Sequence, residues 1–357
     1  MPLAPRRSIA QASRSARWSA AAAVALVASV ALAATVIAVP DGHSSSAQGR
    51  RPPASSRGPG ELPLVPTQAN LLLFVDVAAL SDSPSLLKMR DRIPLFPRVW
   101  RSLEEFLSAT GLRLDRDIDR VTVGGREMGE GKGMVMLVRG RVDPAGLSQR
   151  LTQRGWSTER LGEATLMLGP EPKERNAPEK GQAGHQRSTD RPVLCFPEKN
   201  IALWGDRLWV AESLRRLSAG RSSDNVNPEL SRLVSAISGR GQAWLVAADP
   251  QIARQAIKRL VPPQAAPAVD AVAEIDTLAV SIRSGKGVSV RGEAGSRGEQ
   301  QAGLFADSLR AVIALLKVTA QSDGEALAAL RSIRIEQDGR TVTVAGEIPA
   351  SLIQRRE

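Results

Sequence analysis

Cysteine occurs once in 357 residues, histidine twice and tyrosine never, and aromatic residues amount to 3% of the chain. A single cysteine, Cys195, excludes an intramolecular disulfide framework. His43 and His185 both fall in polar, proline- and glycine-containing stretches with no rigid scaffold to hold them. A histidine-based metal site, a Ser-His-Asp triad and a Cys-His dyad therefore all lack a partner. Cys195, inside Val193-Leu194-Cys195-Phe196, reads as a small buried hydrophobe rather than a nucleophile. No cofactor or metal is expected, and the chain reads as non-enzymatic.

Excess acid is also missing, and the net charge is +11. Residues 1–58 carry seven arginines against Asp41, a net +6, which leaves +5 for everything that follows. That remainder is dispersed, and no aromatics interleave with cations as a base-stacking platform requires, so nucleic acid is not an expected partner. Hydrophobic content of 42% and charged content of 24% are those of a globular protein long enough for two domains.

What is present begins with an uncharged run, Ala20–Val39, preceded by Arg6, Arg7, Arg14 and Arg17 and closed by Pro40-Asp41. At about 1.5 Å per residue, twenty residues just span a hydrocarbon core of about 30 Å. The run reads as an uncleaved anchor, with a signal peptide cut after Ala31-Leu32-Ala33 as the alternative. The upstream arginines favour a cytoplasmic N-terminus, which places the body of a single-pass inner-membrane protein in the periplasm. The expected plan is a basic cytoplasmic tail at 1–17, an anchor or signal at 18–39, a flexible linker at 40–66, a first α+β unit at 67–220 and a second at 221–357. Residues 171–191 have five bases, four acids and no large apolar side chain, and read as a disordered insertion in the first unit.

Gly124–Met136, GGREMGEGKGMVM, gathers five glycines and Lys132 ahead of an apolar run and so resembles a phosphate cradle. A P-loop needs Gly-x-x-x-x-Gly-Lys-Ser/Thr between a strand and a helix. Arg126 stands where the first glycine belongs, Gly133 follows Lys132, and the next segment has strand character. A second stretch explains the glycines differently. Residues 117–142 (DIDRVTVGGREMGEGKGMVMLVRGRV) and 274–294 (EIDTLAVSIRSGKGVSVRGEA) share acid-Ile-Asp, a short strand, a loop ending Gly-Lys-Gly, a second strand and Arg-Gly. The Gly124–Gly133 segment is then a hairpin loop whose glycines, like Gly285 and Gly287, supply positive φ.

The flanks extend the match, giving β-α-β-β-α-β-β twice, an α+β fold of antiparallel sheets with helices packed on them. Strands are expected at Leu71–Val77, Met134–Val138 and Ala243–Ala248, and helices at 143–154 and 299–318. Further helices carry the stripes Val99/Leu103/Phe106, Leu230/Leu233/Val234/Ile237 and Ile252/Ala256/Ile257. Each copy closes on a turn and strand, Gly205–Val210 and Asp338–Val344, with Trp204 and Trp209 flanking one hairpin. The first sheet reads as covered on both faces and the second on one. The layout from about Leu62 to Ile353, with FVDVAAL (Phe74–Leu80) and RDIDRV (Arg116–Val121), resembles uncharacterised bacterial families of exported or membrane-anchored proteins with duplicated ferredoxin-like halves. The resemblance implies no catalytic residue.

Three acids deserve a chemical reading. Asp76 ends a buried strand, and Asp117 with Asp119 precedes another, but no sugar-binding aromatics accompany them. Their counterparts Glu274 and Asp276 favour turn capping over catalysis. The resulting expectation is a binding or scaffold module of the cell envelope that meets an envelope protein or itself. The alternatives are a ligand groove between the copies using Arg126 and Lys132, and a soluble secreted protein after cleavage.

Overall fold

The computed structural model describes residues 62–81, 97–126, 133–170, 191–220, 227–237, 241–260, 274–285 and 287–354. The tail, the anchor, residues 40–61 of the linker and residues 171–190 of the insertion lie outside them. The linker ends earlier than expected, since Leu62–Leu64 form a helical turn with Leu64 and Val65 buried. The described residues are mixed α+β and fall into two compact units, 62–81 with 97–235, and 236–354.

The first unit contains β1 (Leu71–Asp76), α1 (Val77–Ser81), α2 (Pro97–Thr110), α3 (Leu114–Asp117), β2 (Ile118–Arg126), β3 (Gly133–Gly140) and α4 (Pro144–Gln153). It continues with β4 (Ser157–Leu161), β5 (Ala164–Leu168), β6 (Val193–Glu198), β7 (Ile201–Gly205) and α5 (Arg207–Ser218), and α6 (Pro228–Ile237) runs just past its boundary. Its strands lie in the order β1-β2-β3-β7-β6-β5-β4, every neighbour antiparallel. β3 is buried at Met134, Met136 and Val138 and equally at Val135 and Leu137, so both faces of the sheet are covered as its apolar run predicts. The α2 stripe Val99, Leu103 and Phe106 is buried, and the helix stops at Gly111, whose φ is 71°. Phe106 meets the Trp204 ring edge-on at 5.6 Å, Trp156 lies 5.8 Å from the same ring, and the Trp204 indole N–H donates to Ser102 Oγ at 3.1 Å.

The second unit holds β8 (Ala243–Ala247), α7 (Pro250–Leu260), β9 (Ile275–Ser284), β10 (Gly287–Ser296), α8 (Glu299–Thr319), α9 (Gly324–Ser332), β11 (Arg334–Asp338), β12 (Thr341–Pro349) and α10 (Ala350–Gln354). Its strand order is β8-β9-β10-β12-β11, again antiparallel throughout. On β10, Val288, Val290 and Ala294 are buried while Ser289 is exposed and Arg291 and Glu293 half-buried, the one-sided pattern that alternation predicts. β9 departs from it: Thr277, Ala279 and Ser281 are buried along with Leu278, Val280 and Ile282. Small side chains on the polar face permit close packing there, and hydropathy alone does not reveal it.

Two further expectations are corrected. The segment after Gly205 is a helix, not a turn and strand, so Trp204 lies in β7 while Trp209 sits on α5, and the two tryptophans do not flank a hairpin. The hairpin is β6–β7, turning at Lys199-Asn200. The cause is tertiary: the Met134 backbone N–H donates to Asp206 Oδ2 at 2.6 Å, across 72 residues, and holds the chain at the point where α5 starts. The second correction concerns glycine. Gly124, Gly125 and Gly133 lie within β2 and β3, and neither they nor Gly285 and Gly287 have positive φ. A side chain on Gly133 would collide with the Trp209 indole, and one on Gly124 with the Val65 methyl. At Gly124 and Gly133 the missing side chain makes room for packing, while the loop glycines Gly129 and Gly131 lie outside the described residues.

Candidate functional site

The glycine-rich stretch is a hairpin of β2 and β3 with register Gly124↔Val135, Gly125↔Met134 and Arg126↔Gly133. A strand follows it where a phosphate cradle requires a helix N-terminus. Arg126 ends β2 half-buried, and Lys132 lies outside the described residues.

The acids sit at the opposite end of β1 and β2, and each is tied into the fold. Asp76 Oδ1 accepts from the Ala79 backbone N–H at 3.0 Å, which caps α1, and Arg120 Nε lies 3.7 Å from its Oδ2. Asp117 Oδ2 accepts from the Arg113 backbone N–H at 2.9 Å and closes the short helix α3. Asp119 occupies a β-bulge: Ile118 pairs with Gly140 and Arg120 with Arg139, leaving Asp119 between them. In the second unit Ile275 pairs with Ser296 and Thr277 with Gly295, which leaves Asp276 in the same situation. Asp276 Oδ1 accepts from Arg297 Nε at 3.2 Å. Cations and backbone donors thus surround the carboxylates that spacing alone brings forward.

Cys195 is 1% exposed on β6, opposite Leu166 and Leu203. Burial pushes its thiol up to about 11, against a weaker opposing hydrogen bond from the Phe196 backbone. At neutral pH it is a protonated core side chain and not a nucleophile.

The β4–β5 hairpin and the start of α5 emerge only from the structure. β4 is the terminal strand of the first unit and is exposed at four of its five positions, Glu159 being half-buried. Glu159 is ion-paired with Arg207 in the first turn of α5. Leu161 and Leu208, 36% and 78% exposed, are the exposed large apolar side chains among the described residues of this unit. Alternation in STERL and ATLML around Gly162-Glu163 is a hairpin signal. Likewise Asp206 followed by Trp209, Val210, Ser213 and Leu214 is a helix signal, masked by the Gly-Asp turn motif.

No protein-family model and no curated protein matches the chain. Solved structures with a similar course of chain are crystal forms I and III of TP0453. Form I aligns at 10% identity with a TM-score of 0.45, covering 82% of this chain and 94% of that one. Form III aligns at 10% identity with a TM-score of 0.44, covering 82% and 95%. Likeness at that level carries no functional statement. No helix among the described residues is long and apolar enough to cross a membrane.

Proposed function

We propose that this chain is a non-enzymatic binding or scaffold module of the bacterial cell envelope. It is held to the inner membrane by Ala20–Val39, and its body is an extracytoplasmic pair of copies of one ferredoxin-like α+β unit. The observation that carries the reading is the fate of the reactive groups. Asp76 and Asp117 cap helices, Asp119 and Asp276 occupy matching bulges, and the Cys195 thiol is sealed in the core. Side chains spent on holding a fold leave recognition to surfaces.

Duplication is supported by the strand orders, β1-β2-β3-β7-β6 against β8-β9-β10-β12-β11, with the β4–β5 hairpin as an addition to the first copy. It is also supported by two equivalent backbone bonds beside the bulges, Arg141 N–H to Asp117 O at 2.7 Å and Arg297 N–H to Glu274 O at 3.4 Å. The test is fractionation of the native protein with N-terminal sequencing. The anchor reading expects a start at or near Met1, retention in carbonate-washed membranes, and digestion of everything after Pro40 by protease added outside the inner membrane. A start just after Ala33 would replace it with a soluble exported protein.

A further inference from the structure

The geometry points to the free edge of β4 as a docking site for a second copy of this chain. Gly162, with φ 60°, and Glu163 form a two-residue turn between β4 and β5, in the register Leu161↔Ala164, Glu159↔Leu166 and Ser157↔Leu168. Residues flanking such a turn exchange both backbone hydrogen bonds, and every second pair repeats the exchange. The N–H and C=O groups of Thr158 and Arg160 therefore point away from the sheet. β11, the terminal strand of the second unit, is different. The Ile335 carbonyl accepts from Arg310 at 3.3 Å, and the Gln337 side chain donates to the Glu299 and Gly339 carbonyls at 3.1 and 3.2 Å, so α8 guards that edge. β4 has the matching bond within its own turn, Arg160 Nε to the Gly162 carbonyl at 3.3 Å, but among the described residues no helix side chain reaches its outward carbonyls.

The edge is bordered by the exposed leucines. The Glu159–Arg207 ion pair brings the first turn of α5 to the β4 face that carries Ser157, Glu159 and Leu161, since alternate residues share a face. Leu161 on that face and Leu208, next to Arg207 in α5, are exposed apolar side chains at an edge strand whose outer side pairs with no described strand.

The strand is complementary to itself. Antiparallel pairing centred on Glu159 sets Thr158 opposite the second copy's Arg160, and Arg160 opposite its Thr158. Both pairs fall in the hydrogen-bonded position, so every outward backbone group of β4 finds a partner. The two Glu159 carboxylates meet at the axis, where like charges would repel, but each is already paired with its own chain's Arg207, which offsets that repulsion. Sliding the register by two residues in either direction leaves one outward-facing residue opposite a turn or the strand entry.

This deepens the scaffold reading by naming its partner, and fractionation tests that reading separately from the docking site. The docking test uses the full chain in mild detergent. Ser157→Cys and Leu161→Cys variants, oxidised as a mixture, should form a disulfide-linked dimer that neither variant forms alone, because only antiparallel pairing opposes those positions. Thr158→Pro removes an N–H that no described residue uses and should raise the dimer dissociation constant at least tenfold in sedimentation equilibrium. Should that variant fail to fold, Arg207→Ala at its exposed site should weaken the dimer in the same experiment. A chain that stays monomeric, equal cross-linking in the single variants, association untouched by both substitutions, or a different protein found on the β4 edge would each overturn the proposal.

Discussion

At Gly133 the absent side chain is the functional feature: the Trp209 indole fills the space a Cβ would take. Gly133→Ala should therefore destabilise by about 1–3 kcal/mol through overpacking, read as a lower urea midpoint at unchanged slope. Cys195 gives a pH-dependent counterpart. Its thiol rises from an ordinary 9.0 to about 11 because burial penalises the thiolate. The folded state holds this proton more tightly than the unfolded one, so the contribution is fully present below pH 9 and is lost as pH rises towards 11. The loss should reach about 2–3 kcal/mol and be absent in Cys195→Ala, whose stability is lower but flat with respect to this group. That Cys195 is buried was legible in its apolar neighbours. The role of Gly133 was not, because its colliding partner lies 76 residues away and on another element.

Elements differ in how much their ends depend on a side chain. Asp249 caps α7 through two bonds, accepting from the Gln251 and Ile252 N–H groups at 2.9 and 3.1 Å. Asp143 occupies the same place before α4, also followed by proline, yet makes no side-chain cap bond. Asp249→Ala should cost about 1 kcal/mol, whereas Asp143→Ala should stay within about 0.5 kcal/mol, measured by denaturant unfolding of the two variants side by side. Both helix starts were readable from Asp-Pro, as was the α6 stripe of Leu230, Leu233, Val234 and Ile237, since these are local signals. In isolation Gly205-Asp206 is a good turn motif, which favours a turn and strand where α5 forms. Its carboxylate is instead recruited by the Met134 N–H, and Gly205, with φ 152° and the Met134 carbonyl against it, lets the chain turn there. A long-range bond decided between two local preferences of similar strength.

For the whole molecule, the proposal makes attachment depend on one marginal run. Leu26→Arg with Leu32→Arg places two charges near the centre of Ala20–Val39, each costing about 2.5–3.5 kcal/mol on the insertion scale. The doubly substituted chain should disappear from the carbonate-resistant fraction, measured by immunoblotting of membrane and soluble pools. Persistence in membranes would transfer the anchoring role to the body of the protein. The charge asymmetry belongs to the same scale: most of the +11 lies before residue 59, so the excess marks the tail and linker and not a binding face of the body.

The sequence by itself determined what depends on neighbours within about one turn of helix or one hairpin. It specified the apolar periods, the Asp-Pro helix starts, the α+β class, the acid-Ile-Asp phrases that open β2 and β9, and the shortage of histidine and cysteine. Only the tertiary structure decided where distant segments compete for the same atoms. It placed Trp209 over Gly133, Asp206 on the Met134 amide, and Asp119 and Asp276 in bulges. It also left β4 at an edge with Leu161 and Leu208 beside it. Packing and hydrogen-bond satisfaction are properties of pairs far apart in the chain, and no local pattern encodes which partner arrives.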